Sequence, residues 1–239
     1  MEDNRMITVN HRTWEFFLFE YFGIIENDLQ VGGKSVKKDD NKIKVRKCAY
    51  RAYLDMNRTL TYSQMNDNEK QDFVLEICNE LAKMFTKNVS VKEKREEAYS
   101  LFFSSYDTPT DKMKDVLIHR ESNKRKESVL YYGQAQKWIN MTLKYMWMIG
   151  LLDSDAINEL EVPIDNYILK AAYSEKYISS MPEYAWSQLY KEEYDSIQQQ
   201  IKEKTGTLGE WECGVWIAQA ALERKKDKKS KKLYAEDEE

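Results

Sequence analysis

Lys137 and Asp165 are two residues whose types and settings could together do chemistry. The lysine lies in the stretch YYGQAQKWINMTL, and the aspartate follows 28 residues later in EVPIDNYIL. A neutral lysine amine is a nucleophile that forms covalent adducts. A carboxylate beside it stabilises the positive charge that develops on a sugar when its leaving group departs. The pair therefore favours displacement at a sugar carbon.

Gly133, four residues before the lysine, predicts how Lys137 is presented. A glycine between two apolar helical stretches favours a tight hairpin of two helices over one long helix. Lys137 would then lie in the first turn of the second helix, where the helix dipole disfavours a cation. Burial among apolar neighbours, and a second cation at Lys144 on the same helix face, would act in the same direction. These effects favour the neutral, nucleophilic amine.

Asp165 is predicted to begin a further helix that runs to about Tyr173. An aspartate after Pro163 and Ile164 is a good N-cap, and one carboxylate can cap a helix and face a cleft at once. Two helices joined by a connection of this length can pack side by side, which would bring lysine and carboxylate into one cleft. The alternative is structural: Asp165 only caps its helix, and Lys137 keeps its charged end in water.

These stretches resemble the helix-hairpin-helix DNA glycosylase superfamily over about residues 130–170 of the 239. The first is similar to the family pattern LPGVGxK followed by an apolar helix, with Gly133 at the first hairpin glycine and Lys137 at the Schiff-base lysine. Tyr132 and Ala135 replace the hairpin proline and the second glycine. The second stretch is similar to apolar-Pro-Val-Asp, with Asp165 at the catalytic aspartate. The spacing between the two is closest to the archaeal 8-oxoguanine glycosylase branch.

The resemblance implies a DNA glycosylase that needs no metal or organic cofactor. Lys137 would attack C1′ of a flipped nucleotide, and Asp165 would stabilise positive charge on the sugar. β-Elimination from the Schiff base would add abasic-site lyase activity. The implied contacts with double-stranded DNA lie in the hairpin, in the helix after it and in the basic stretch before it: Gly133, Gln134, Ala135, Gln136, Lys144, Lys124, Arg125 and Lys126.

Composition and periodicity predict an all-α protein of two helical lobes with a cleft between them. Eight glycines and three prolines are few for an all-β sandwich or barrel of 239 residues. Helices are predicted at 12–22, 43–57, 68–87, 91–105, 111–120, 182–203 and 210–223, and a polar loop at 29–41. We expect one helical unit over 1–239, with the hairpin and catalytic segment at about 128–173 and a charged tail at about 224–239.

Few residues are available for other chemistries. The chain has two histidines and three scattered cysteines, without a metal-ligand spacing or a recognisable catalytic triad motif. Unpaired cysteines favour a reducing compartment. The N-terminus does not have the pattern of a signal peptide, and no run of about 18 apolar residues predicts a membrane span. We expect a cytoplasmic monomer, associated with the nucleoid if the protein is prokaryotic.

The formal net charge of −4 does not by itself favour DNA, although basic stretches at 42–51, 119–126 and 224–232 create local positive fields. The alternative hypotheses are a non-catalytic helical DNA- or RNA-binding protein on the same scaffold, and a helical protein-interaction module. The base remains open between an oxidised purine, which the archaeal-like spacing indicates, and a modified pyrimidine such as those of phage DNA. A role in repair and a role in phage defence are both compatible with these residues.

Overall fold

A computed structural model describes residues 11–62, 65–105, 108–114, 116–117 and 130–226. Within them the chain is mostly helical, as the all-α expectation requires. The helices are α1 His11–Phe22, α2 Asn41–Met56, α3 Asp67–Phe85, α4 Val91–Phe102, α5 Asp111–Lys114, α6 Tyr132–Met148, α7 Asn166–Ser174, α8 Lys191–Thr205 and α9 Leu208–Lys226. The strands are β1 Leu29–Val31, β2 Lys34–Val36, β3 Phe103–Ser105 and β4 Thr108–Pro109. Single 3₁₀ turns lie at Asn57–Thr59, Ser154–Asn158 and Trp186–Gln188.

Helix α6 lies at the centre of the core. Residues 132–140 of this helix are all buried, and α6 packs against α2, α4 and α8. A helix that is buried on every side reads as one apolar stretch, which is the pattern of 128–149. The predicted helix 68–87 is confirmed as α3, and its apolar residues at every fourth position are buried: Phe73, Ile77, Leu81 and Phe85.

Two short antiparallel hairpins lie where the sequence predicted other structure. The predicted loop 29–41 contains β1 and β2, which pair around the turn at Gly32 and Gly33. Both strands are only three residues long and are exposed along their whole length, so they add nothing to the core. The predicted helix 91–105 ends at Phe102, after which β3 pairs with β4.

Gly133 lies in the first turn of α6 and not between two described helices, so the predicted position of the hairpin bend is wrong in the described part of the chain. Lys137 is consequently the sixth residue of α6, one turn deeper than expected. The glycine is needed for a different reason: the turn at 186–189 passes directly over it, and the Gly133 amide donates to the carbonyl of Leu189 at 2.9 Å. Residues 118–129, which precede α6, lie outside the described residues.

The C-terminal part of the chain contains α7, α8 and α9, of which α7 and α9 contact the aspartate. Helix α7 begins directly after Asp165, as predicted. The predicted helix 182–203 begins only at Lys191, after the 3₁₀ turn. Helix α8 ends at Thr205, and the C-cap residue Gly206 has a left-handed φ of 73°. Helix α9 then returns over α7. None of the described helices combines the length and the apolar character that crossing a bilayer requires.

Replacing Gly133 with alanine is expected to destabilise the fold. The new Cβ would lie 2.1 Å from the carbonyl oxygen of Trp186 and 3.1 Å from the amide nitrogen of Leu189, and both of these are backbone atoms. We expect the free energy of unfolding, measured by urea titration, to fall by about 1–3 kcal/mol. Gly214→Ala in α9 is the control, because its Cβ meets nothing within 4 Å and should stabilise the helix by about 0.5–1 kcal/mol. An unchanged midpoint for Gly133→Ala would contradict the close approach.

Candidate active site

The structure brings Lys137 and Asp165 together. The Nζ atom of Lys137 lies 2.8 Å from Oδ2 of Asp165, although the residues are 28 positions apart. Their side chains are 6% and 14% exposed, so the ion pair is almost closed to water. Lys137 also donates to the backbone carbonyl of Pro163 at 3.3 Å. A buried amine and a carboxylate are therefore held in direct contact.

Asp165 is the N-cap of α7. Its Oδ1 accepts from the amides of Tyr167 at 2.9 Å and Ile168 at 3.0 Å, which are unpaired donors at a helix start. Its Oδ2 accepts from Lys137 and from the indole Nε1 of Trp216 at 3.0 Å. The two oxygens therefore have different partners: Oδ1 fixes the carboxylate to its helix, and Oδ2 faces the lysine.

Electrostatics at the site favour an ionised Asp165. Burial by itself raises the pKa of this carboxyl group. The positive charge of Lys137 and the hydrogen bonds from Lys137, Ile168 and Trp216 outweigh burial, so the pKa of Asp165 lies below the ordinary value of an aspartate. The carboxylate is consequently charged at neutral pH.

Helix α9 covers the pair. Besides its bond to Asp165, Trp216 packs edge-on against Tyr167, with ring centroids 5.3 Å apart. One turn before Trp216, Glu212 is 2% exposed and pairs with Lys144 of α6. Trp211 donates to Glu175 at 3.0 Å. The side of α6 that carries both lysines therefore faces α9.

The residues at the start of α6 that are predicted to contact DNA make their hydrogen bonds within the protein. All four are buried: Gly133, Gln134, Ala135 and Gln136. The amide of Gly133 donates to Leu189, and those of Gln134 and Ala135 donate to Tyr131. The side chain of Gln134 donates to the carbonyl of Thr59 at 2.6 Å. Lys124, Arg125 and Lys126 lie outside the described residues.

A small cavity between α6 and α9 is lined by Lys144, Pro163, Glu212 and Cys213, and its residue Pro163 also contacts Lys137, whereas other nucleophiles and cavities lie elsewhere. Burial raises the pKa of both Cys48 and Cys78 to about 12, which leaves these thiols protonated. Two open cavities of about 430 Å³ and 450 Å³ are lined by other residues, among them Lys94 in the first and Arg95 in the second. Among the described residues, no cluster of three histidine, cysteine, aspartate or glutamate side chains could hold a metal ion.

Sequence reasoning identified the lysine and the aspartate but not the residues that surround them. Trp216 lies 51 positions after Asp165, and Glu212 lies 68 positions after Lys144. A contact between distant helices leaves no periodic signal, so neither partner could be found from local pattern. Trp216 is half-buried at the site.

Replacing Asp165 with asparagine is expected to cost about 3–5 kcal/mol of unfolding free energy at neutral pH, because Lys137 would stay buried without its counter-charge. The pKa of Asp165 is lowered in the folded state, so this stabilisation is present above the ordinary pKa of an aspartate and is lost as pH falls through the lower folded value. The gap between wild type and variant, measured by urea unfolding, should therefore shrink below about pH 4. A gap that persists into strong acid would contradict a charged pair.

The control for this variant is Asp195→Asn, which removes one partner of an exposed ion pair. Asp195 is 51% exposed and pairs with Lys191 within the first turns of α8. Exposed pairs of this kind contribute at most about 1 kcal/mol. We expect Asp195→Asn to change the free energy of unfolding only slightly at every pH. A large change would show that losing any ion pair, buried or exposed, has the same effect in this protein.

Comparisons with protein families, with curated proteins and with solved structures give no match to this chain. The chemistry of the site is therefore inferred from its residues and their geometry.

Proposed function

We propose that this protein is a DNA glycosylase in which Lys137 is the nucleophile and Asp165 stabilises charge on the sugar. The observation that carries the proposal is the buried contact of 2.8 Å between the amine and the carboxylate. The sequence settings of both residues predict their pairing, and the two side chains are in contact across 28 positions. The resemblance to helix-hairpin-helix glycosylases, given by the stretches around both residues, supports the same assignment.

The first step is displacement of the base. Lys137 reacts as a neutral amine, so the proton that it holds in the ion pair must leave first. The lone pair of Nζ then forms a bond to C1′ while the bond from C1′ to the base nitrogen breaks. The base leaves with that electron pair and takes up the proton that the lysine has released. Asp165 faces the positive charge that develops on the sugar, and its negative charge is worth more in a site that excludes water.

The second step gives the lyase activity. The bond from C1′ to the ring oxygen breaks, the oxygen takes up a proton, and a protonated Schiff base joins Lys137 to the sugar. Loss of a proton from C2′ then expels the 3′ phosphate by β-elimination and nicks the strand. Water releases the lysine by hydrolysis of the imine.

Access to the pair requires movement of α9. The reacting atoms must come within about 3–3.5 Å of each other, and Lys137 is now closed off. We place the cleft between α9 and the pair of helices α6 and α7, so that the two sides act as lobes. The flipped nucleotide would displace Trp216 from Asp165, and unstacking of its base costs a few kcal/mol.

The DNA partner is proposed on charge and chemistry. Because the start of α6 is bonded internally, phosphate contacts at Gly133, Gln134, Ala135 and Gln136 would need rearrangement on binding. Lys124, Arg125 and Lys126 remain predicted contacts, and Lys144 would have to exchange Glu212 for a phosphate. We propose a monomer that acts on double-stranded DNA in the cytoplasm, on an oxidised purine or a modified pyrimidine.

The alternative is a nucleic-acid-binding protein without catalysis. One observation favours it: every oxygen of Asp165 already has partners, as in an ion pair that serves only the fold. The two functions differ in whether the amine of Lys137 reacts with a sugar aldehyde.

Borohydride trapping on a duplex with an abasic site tests the proposal. This substrate bypasses the unknown base, and reduction turns the Schiff base into a stable covalent adduct. We expect an adduct with wild type and none with Lys137→Ala. The control is Lys94→Met, since Lys94 is also buried, has its pKa lowered by burial, and lies at another cavity. This variant should still be trapped.

The outcomes separate the hypotheses. An adduct that persists in Lys137→Ala would assign the nucleophile to another lysine. Absence of an adduct from wild type, together with DNA binding that weakens with salt, would favour the binding protein. Absence of any salt-dependent DNA binding would leave a protein-interaction module.

A further inference from the structure

The segment Val162–Ile164, which precedes Asp165, is buried but belongs to no helix or strand of the described residues. Buried backbone amides and carbonyls need partners, which in most segments come from helix or strand hydrogen bonds. Here they come from two glutamine side chains on different helices. Each glutamine amide bonds both the N–H and the C=O of one residue.

Gln136 of α6 holds Ile164. Its Nε2 donates to the Ile164 carbonyl at 2.9 Å, and its Oε1 accepts from the Ile164 amide at 3.2 Å. The side chain is fully buried. Nε2 also donates to the carbonyl of Gly133 at 3.0 Å, so both donors of this amide are used.

Gln198 of α8 holds Val162 in the same manner. Its Oε1 accepts from the Val162 amide at 3.2 Å, and its Nε2 donates to the Val162 carbonyl at 2.6 Å. Between the two clamps, the carbonyl of Pro163 accepts from Lys137. Three successive residues before Asp165 are thus fixed by side chains.

A buried chain of hydrogen bonds fixes the orientation of the Gln136 amide. Asn140 Nδ2 donates to Gln136 Oε1 at 3.4 Å and to the hydroxyl of Tyr194 at 2.8 Å. The Tyr194 hydroxyl donates to Glu161 at 2.8 Å, and Glu161 pairs with Arg95 at 3.0 Å. Because Oε1 receives the donors Asn140 and Ile164, rotation of the amide by half a turn would break both bonds.

Two neighbouring contacts of α6 have the same separation of 28 residues: Gln136 with Ile164, and Lys137 with Asp165. Residues adjacent on the helix therefore meet residues adjacent on the segment. A shift of the segment that lengthens the first contact must also move the carboxylate away from the amine.

We infer that Gln136 is a positioning residue that sets the register of Asp165 against Lys137, whereas the matching clamp at Gln198 serves the fold. This inference rests on the proposed function for its catalytic consequence, but the positioning itself is a property of the resting protein. Gln136 touches neither the reacting atoms nor Asp165 directly. It acts through the Ile164 backbone.

The test compares Gln136→Met with Gln198→Met, which remove the same type of amide clamp at different distances from Asp165. The first measurement is the titration of the Asp165 carboxyl carbon by NMR in the full-length chain. Loosened contact with Lys137 should raise the pKa of Asp165 toward the ordinary value in Gln136→Met, and leave it near the wild-type value in Gln198→Met. Urea unfolding of both variants gives the loss of stability for comparison.

The second measurement is the rate of borohydride trapping on abasic-site DNA, at a temperature where both variants are folded. A displacement of about 1 Å can cost about 10²-fold in rate, so we expect this loss for Gln136→Met and a rate near wild type for Gln198→Met. Losses that follow stability equally in both variants would overturn the inference.

Failure of the proposed function gives a different pattern. If wild type forms no adduct, the glycosylase proposal fails, and the carboxyl titration alone decides the role of Gln136. A raised pKa of Asp165 in Gln136→Met alone would then still support positioning. An unchanged pKa in both variants, or an equal rise in both, would overturn it.

Discussion

The buried ion pair between Lys137 and Asp165 is the interaction on which the C-terminal half of the chain depends. It joins the central helix α6 to the start of α7. Oδ2 of Asp165 also accepts from Trp216, which connects α9 to the pair. An ion pair with so little exposure must recover a desolvation cost of several kcal/mol per charge. The hydrogen bonds of the carboxylate offset this cost, because each of its two oxygens has two donors. Two backbone amides donate to Oδ1, and the lysine amine and an indole N–H donate to Oδ2.

This arrangement gives the pair a structural role whether or not it has a chemical one. Asp165 would cap α7 in any protein that needed this helix start. The lysine supplies the counter-charge of this buried carboxylate, so its removal alone would cost about 3–5 kcal/mol. Replacing both partners with apolar residues is often neutral or stabilising, so packing alone does not call for an ion pair at this place.

Local signals in the sequence were sufficient for several elements and for both candidate residues. The repeat of Phe73, Ile77, Leu81 and Phe85 predicts α3, and the sequence before Asp165 predicts the start of α7, because each depends on neighbours along the chain. The exposed hairpin at 29–36 was missed although Leu29, Gln30 and Val31 alternate before a Gly-Gly turn, because strands of three residues are too short to distinguish from a polar loop. Gly133 was interpreted as a bend because its real constraint, the backbone of Trp186, lies far along the chain. The amide clamps of Gln136 and Gln198 were missed for the same reason, since a glutamine that bonds the backbone of a distant segment has no local signature.

The same distinction between local and distant contacts determines which part of the structure could open. Helix α6 is held by apolar burial, at about 1.5–3 kcal/mol for each large side chain. Among the described side chains of α9, Ala220 is the one buried apolar residue, Trp211, Val215 and Trp216 pack against the core while partly exposed, and Glu212 pairs with Lys144. Helix α9 therefore buries fewer apolar side chains than α6, so releasing α9 costs less than moving α6. Release would remove the indole donor from Oδ2 of Asp165 and leave the lysine in place, because Lys137 and the cap of α7 do not depend on α9. The carboxylate oxygen that now faces Trp216 would then be directed at whatever enters, which is the position required to face positive charge on a sugar.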